Sequence, residues 1–109
     1  MTAGIFVESV STPRTSLATG ISVTVPTIAD AEMDEVAVDV SSSGFGFTLG
    51  LGDLVIVNPE VALPTSCVFQ GAYVSAADEI TFSFGTLEGG AGVTGAAKTF
   101  AVLAFDATP

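Results

Sequence analysis

The chain has 109 residues, enough for one hydrophobic core and too few for two. Its 12 acidic residues against 2 basic ones give a formal net charge of −10, which excludes the basic stripe that nucleic-acid binding requires and disfavours binding to an acidic membrane surface. Apolar residues make up 49% and charged residues 13%, and no apolar run approaches the roughly 18 residues of a membrane span. Such a charge-poor composition predicts a homo-oligomer whose subunits cover apolar surface for one another.

The predicted elements are short strands, because apolar residues recur with a period of two and turn-forming residues separate the runs. In chain order the predicted strands cover residues 4–8, 21–26, 35–40, 54–57, 67–76, 79–84 and 100–105. The runs 54–57 and 100–105 are apolar on both faces, which favours strands covered on one side by the core and on the other by a neighbour.

About seven strands without a helical run predict an all-β chain, an antiparallel β-sandwich or jelly-roll-like barrel with little or no helix. Residues 1–109 are expected to form a single domain, with residues 1–18 as a candidate extended N-terminal arm. The alternation predicts one shared core that contains Val36, Val38, Val55, Val57, Ile80, Phe82, Phe100 and Val102.

The stretch GFGFTLGLGDLVIVN, residues 44–58, resembles a glycine-rich phosphate loop at first sight. A dinucleotide fingerprint places its glycines after a strand and at the start of a helix. Here the glycines precede the strand, and Asn58-Pro59 then breaks the chain where a helix would begin. The pattern therefore predicts that Gly50 and Gly52 serve a turn and that no nucleotide cofactor binds.

The residues for enzymatic chemistry are largely missing. The chain has no histidine, so it contains no Ser–His or Cys–His pair. Cys67 is the only cysteine, which excludes an intrachain disulfide, and its apolar strand pattern indicates a buried, unreactive thiol. With no tryptophan and with Tyr73 as the one tyrosine, the chain lacks the aromatic platforms of a glycosidase. No catalytic residue is predicted, and the chain is expected not to be an enzyme.

One acidic pattern suggests a metal ligand set. Asp30, Glu32 and Asp34 alternate as the first three ligands of a calcium loop do. The glycine and the bidentate glutamate of that loop are missing, and Ser41 stands where the glutamate should be. The pattern favours a solvated acidic connection between two strands, with an interface cation as the alternative, and no metal site is predicted.

The second half carries a series of motifs in a defined order. Gly52-Asp53 leads into alternating valines and an asparagine, a variable segment follows, and then come V-S-A and I-x-F before a last apolar strand. The matching positions are Gly52, Asp53, Val55, Val57, Asn58, Val74, Ser75, Ala76, Ile80 and Phe82. Over residues 36–105 the chain resembles small proteins encoded among the structural genes of tailed bacteriophages. It departs from them in the longer SSSGFGFTLGLG segment and in the N-terminal third.

The resemblance implies a virion component, a capsid decoration or cement protein that binds the major capsid protein on the outer surface of the shell as a trimer. The N-terminus lacks a secretory signal, so synthesis in the host cytoplasm is expected. The predicted alternative is a fibre, spike or tail-associated module that recognises a host surface or glycan, for which Phe45, Phe47 and Tyr73 would have to form an exposed aromatic cluster.

Five residues are predicted to make subunit or shell contacts, because their apolar side chains stand beside glycines and outside the clearest core strands: Ile5, Phe6, Val7, Phe45 and Phe47. The alternative is that these side chains fold back and cap their own sandwich.

Overall fold

Six strands form two antiparallel sheets of three strands each in the computed structural model, which describes residues 14–86 and 92–107. The strands are β1 (Thr15–Val25), β2 (Met33–Asp39), β3 (Leu54–Pro59), β4 (Cys67–Ala76), β5 (Glu79–Thr86) and β6 (Ala96–Phe105). No helix occurs in these two ranges. The all-β fold is confirmed in its sandwich form, with six of the predicted strands in place. The predicted strand at residues 4–8 lies outside the described residues.

The first sheet has the order β1-β6-β3 and is called here the β6 sheet after its central strand. Along β1, Ile21, Val23 and Val25 are buried while Ser22 and Thr24 are exposed, as the alternation predicts. β1 begins earlier than predicted, since residues 15–18 pair with β6. These residues are therefore part of the sheet rather than of an N-terminal arm, and residues 1–13 of that candidate arm lie outside the described part of the chain.

The second sheet has the order β2-β5-β4 and is called the β5 sheet. Its central strand is the most deeply buried, with Ile80, Phe82 and Phe84 fully covered. Thr81 points to the other side of the strand but is only 6% exposed. As β5 is flanked on both sides, longer side chains of β2 and β4 can cover a small residue at its centre.

The core lies between the two sheets and is centred on four phenylalanines. The ring centroids of Phe82 and Phe100 are 5.2 Å apart, and Phe69 lies 5.5 Å from both Phe84 and Phe100. All eight residues of the predicted core belong to this cluster, four of them buried and the four valines of β2 and β3 partly buried. The loop residue Leu49 is fully buried as well, although it lies outside every predicted strand.

Candidate functional site

The two sheets present different outer faces to the surroundings. In β2 the side chains of Val36 and Val38 pack on the core, so Glu35 and Asp39 point outward from the β5 sheet. The Asp39 carboxylate accepts a hydrogen bond from the Ser41 amide at 2.8 Å, and this bond lowers the pKa of Asp39 below its usual value. The outer face of the β5 sheet thus carries acidic side chains, with Met33 exposed beside them at the start of β2.

Hydroxyl groups complete the polar face of the β5 sheet. The Thr81 hydroxyl donates to the Ser75 hydroxyl at 2.7 Å, and Ser75 donates to the Glu79 carboxylate at 2.8 Å. Each of these outward polar groups therefore has a partner within the sheet. Tyr73 stands on the same face and is 51% exposed.

The outer face of the β6 sheet is apolar instead. Leu103 of β6 is paired with Leu17 on one side and with Ile56 on the other, so these three side chains form one row across the sheet. Leu17 and Ile56 are 62% and 60% exposed. The next row contains Phe105 and Leu54, and Leu54 is 67% exposed. The apolar face is defined by Leu17, Leu54, Ile56, Ala101, Leu103 and Phe105.

This finding bears on the prediction that residues 54–57 are covered on both sides. Val55 and Val57 pack on the core, but no described residue of the chain covers Leu54 and Ile56 on the opposite face. The run is apolar on both sides of the strand, yet within one chain only one side is buried. The apolar pattern of β3 is therefore explained only in part by the core of its own chain.

Glu60 borders the apolar face at one end. It follows β3 directly, and its amide donates to the Thr99 carbonyl, which extends the pairing with β6 by one residue. Its carboxylate accepts a hydrogen bond from the Gly20 amide at 2.9 Å. Gly20 lies where the register of β1 shifts, so the carboxylate satisfies an amide that the irregular pairing leaves available.

An ion pair closes the other end of the sheet. Arg14 donates through Nε to the Asp106 carboxylate at 2.9 Å and through Nη2 to the same oxygen, and the Asp106 amide donates to the Arg14 carbonyl at 2.8 Å. The guanidinium also lies 5.3 Å from the centre of the Phe47 ring, within the range of a cation–π contact. In the described ranges this is the one ion pair. We call Arg14, Phe47 and Asp106 the clasp.

The glycine-rich segment ends in a turn beside the clasp. The Asp53 amide donates to the Gly50 carbonyl at 3.0 Å, and the Asp53 carboxylate accepts from the Gly50 amide at 2.9 Å. Gly52 has φ +93°, a conformation that favours glycine. The predicted turn geometry is confirmed for this segment.

An open hollow of about 460 Å³ lies between this turn and the clasp. Its one cation, Arg14, is paired with Asp106, and the other acid, Asp53, accepts bonds from the Gly50 and Ala107 amides. The hollow therefore offers a ligand no charged group that is not already engaged in holding the chain together. These residues therefore have a structural role, because they hold the end of the sheet and the adjacent turn together.

Two of the five predicted contact residues fall in the described ranges. Phe45 and Phe47 are partly buried and pack on the core of their own chain, and the Gly46 amide between them donates to the Ser16 hydroxyl at 2.9 Å. Within the single chain these two side chains thus pack on their own sandwich, as the alternative prediction states. Their contact with another subunit or with the shell stays a prediction. Ile5, Phe6 and Val7 lie outside the described residues.

The other candidates are distributed over the surface. Cys67 is partly rather than fully buried, and this burial raises the pKa of its thiol. Asp30, Glu32 and Asp34 are all exposed, and the described part of the chain contains no group of three or more side chains placed to hold a metal ion. Arg14 and Asp106 of the clasp were not predicted, since they stand 92 positions apart and no local motif connects them.

No family model matches this chain, and no curated protein or solved structure gives a significant match to it. The described part of the chain contains no helix that is long and apolar enough to cross a membrane. The function is therefore inferred from the surfaces of the sandwich.

Proposed function

We propose that this chain is a virion structural protein, a capsid decoration or cement protein that binds the outside of an icosahedral phage shell as an oligomer and stabilises it. The observation that carries the proposal is the contrast between the two sheets, one with an acidic outer face and the other with an uncharged apolar face. A protein fixed between neighbouring subunits and solvent needs this division, because apolar surface associates and acidic surface stays hydrated.

The net charge supports a position on the outer surface of the shell. A chain with a formal charge of −10 is repelled by packaged nucleic acid, which is itself densely anionic. An outer location keeps the acidic side chains away from the genome. The major capsid protein is then the partner, and the virion is the place where the chain functions.

The resemblance to phage structural proteins is the basis for preferring a trimer. An icosahedral shell offers three-fold positions on which three copies make identical contacts with the subunits below. The residues themselves support association but do not select its symmetry.

The alternative module for host or glycan recognition has less support. Phe45 and Phe47 pack on the core, whereas Tyr73 stands on the outer face of the β5 sheet. Among the described residues no ring pair connects Tyr73 with either phenylalanine. The exposed aromatic cluster that a glycan module would use is therefore not formed by these three rings within one chain.

Binding to shells tests the proposal. Purified chain is added to shells of the virus that encodes it, prepared without this protein, and the mixture is sedimented and imaged by electron microscopy. We expect the chain to sediment with the shells, to add density at regular positions on their outer surface, and to raise the temperature at which they disrupt. Density confined to the tail or to a fibre would contradict the proposal, as would a complete lack of sedimentation with shells.

A further inference from the structure

We propose that the apolar face of the β6 sheet is the surface through which copies of this chain contact one another. The proposal rests on the proposed function for the expectation of a homo-oligomer, and it adds which surface makes the contact. The occupant of the face is a second copy of the same chain, which brings its own apolar face.

The distribution of charge distinguishes this face. Each copy carries a formal charge of −10, so a contact that sets acidic side chains opposite one another is strongly unfavourable. Leu17, Ile56 and Leu103 form a row with no charged residue at any of its positions. The acid at the border, Glu60, is directed to the Gly20 amide.

The opposite side of the sandwich lacks this property. If the β5 sheet made the contact, Glu35, Asp39 and Glu79 would lie near the acidic side chains of the neighbouring copy. Self-association through the acidic face would therefore place like charges together, whereas association through the apolar face keeps them apart.

The dimensions and the surroundings of the apolar face fit a small protein interface. Three strands about 4.8 Å apart, with three outward rows across them, span about 14 by 20 Å, and the six residues of the apolar face occupy most of this area. Uncharged polar residues border it, among them Thr15, Thr19, Asn58 and Thr99. An apolar centre with a polar rim is the usual anatomy of an interface. A standard interface covers about 800 Å² on each partner, so rim contacts must add to the apolar centre and we expect reversible association.

A second copy is the partner that matches this surface best. It presents leucine and isoleucine rows of the same spacing, whose side chains can interdigitate with those of the first copy. The contact removes from water the side chains of Leu17, Leu54 and Ile56, each of which is at least 60% exposed in the single chain. Added salt should strengthen the association, because it screens the repulsion between two acidic copies.

The test compares matched charge substitutions on the two sheets by sedimentation velocity at micromolar concentrations. Ile56→Glu introduces an acid into the apolar face at a residue that is 60% exposed. The control, Met33→Glu, introduces the same charge at a residue of the β5 sheet that is 62% exposed. Circular dichroism verifies the fold of each variant, and Ile56→Thr keeps a β-branched side chain in case Ile56→Glu does not fold.

We expect the unmodified chain and Met33→Glu to associate equally, Ile56→Glu to be monomeric, and Ile56→Thr to need several-fold more protein to associate. A monomeric unmodified chain at every protein and salt concentration would overturn the inference, as would association that survives Ile56→Glu in a folded variant. Because no shell is present, the outcome is separable from that of the proposed function. A chain that associates through this face but never binds shells keeps the inference and loses the function.

Discussion

At the residue scale, Phe82 contributes most clearly to the stability of the sandwich. Its side chain is fully buried, and its ring contacts those of Phe69 and Phe100 from both sheets. Phe82→Ala removes these contacts and leaves a cavity, so we expect the free energy of unfolding to fall by about 3–5 kcal/mol. Urea denaturation monitored by circular dichroism measures the loss.

Tyr73→Ala serves as the control for Phe82→Ala. Tyr73 is an aromatic residue of the neighbouring strand β4 that is 51% exposed. Removing its ring should cost about 1 kcal/mol or less, because it creates no internal cavity. A cost below about 1 kcal/mol for Phe82→Ala would instead place the Phe82 ring outside the core.

Gly52 tests the function of the glycine-rich segment. Gly52→Ala places a side chain at φ +93°, although no atom lies within 4 Å of the added Cβ. The expected loss of stability, about 1–2 kcal/mol, therefore arises from backbone strain alone. Thermal melting compares this variant with Gly50→Ala. The space around a Cβ at Gly50 is equally open, but the φ of Gly50 is not in the left-handed region. Equal stability of the two variants would refute the assignment of strain to Gly52.

At the element scale, the clasp joins the beginning of β1 to the end of β6. Asp106 is 4% exposed and receives two hydrogen bonds from the Arg14 side chain. Arg14→Gln removes the cation beside a buried carboxylate, so we expect a loss of about 1–2 kcal/mol. The exposed position of much of the Arg14 side chain keeps the effect at the lower end of the range for charged hydrogen bonds.

Lys98→Gln provides a control with the same change in net charge. Lys98 is the other described cation and forms no ion pair within residues 14–86 and 92–107. We expect this variant to keep the stability of the unmodified chain within about 0.5 kcal/mol. Hydrogen exchange adds a local measurement, since the Asp106 amide should exchange faster in Arg14→Gln only. Equal exchange in both variants would show that the clasp does not hold the two strands together.

At the scale of the whole molecule, association is expected to produce three copies. The apolar face needs a partner because its leucine and isoleucine side chains remain exposed in the single chain. Three copies can direct these faces toward a common axis, and the resemblance to phage structural proteins favours this arrangement. Native mass spectrometry should show a mass of three chains. A predominant dimer would contradict the trimer and leave the apolar face as the contact surface.

Strands and core follow from the local sequence. The alternation of valines and phenylalanines places Val36, Ile80 and Phe82 on one face of their strands, and these residues do pack together. Local sequence is sufficient here because successive side chains of a strand must point to opposite sides. The turn at Gly52 is equally local, since glycine accepts a positive φ and the Asp53 carboxylate accepts a hydrogen bond from the Gly50 amide within the same turn.

The surfaces depend on contacts that no local pattern specifies. Arg14 meets Asp106 across 92 positions only because β1 and β6 pair in this register. Phe45, Phe47 and Leu49 alternate with small or polar residues as in a strand, yet this segment forms no strand, and the three side chains pack on the core as part of a loop that folds onto it. From the apolar runs of β3 and β6 we predict strands that are buried on both faces. The order β1-β6-β3 instead aligns their outward residues into one exposed face. Sequence determined which residues are apolar, and strand order and register decided which of them remain open to a partner.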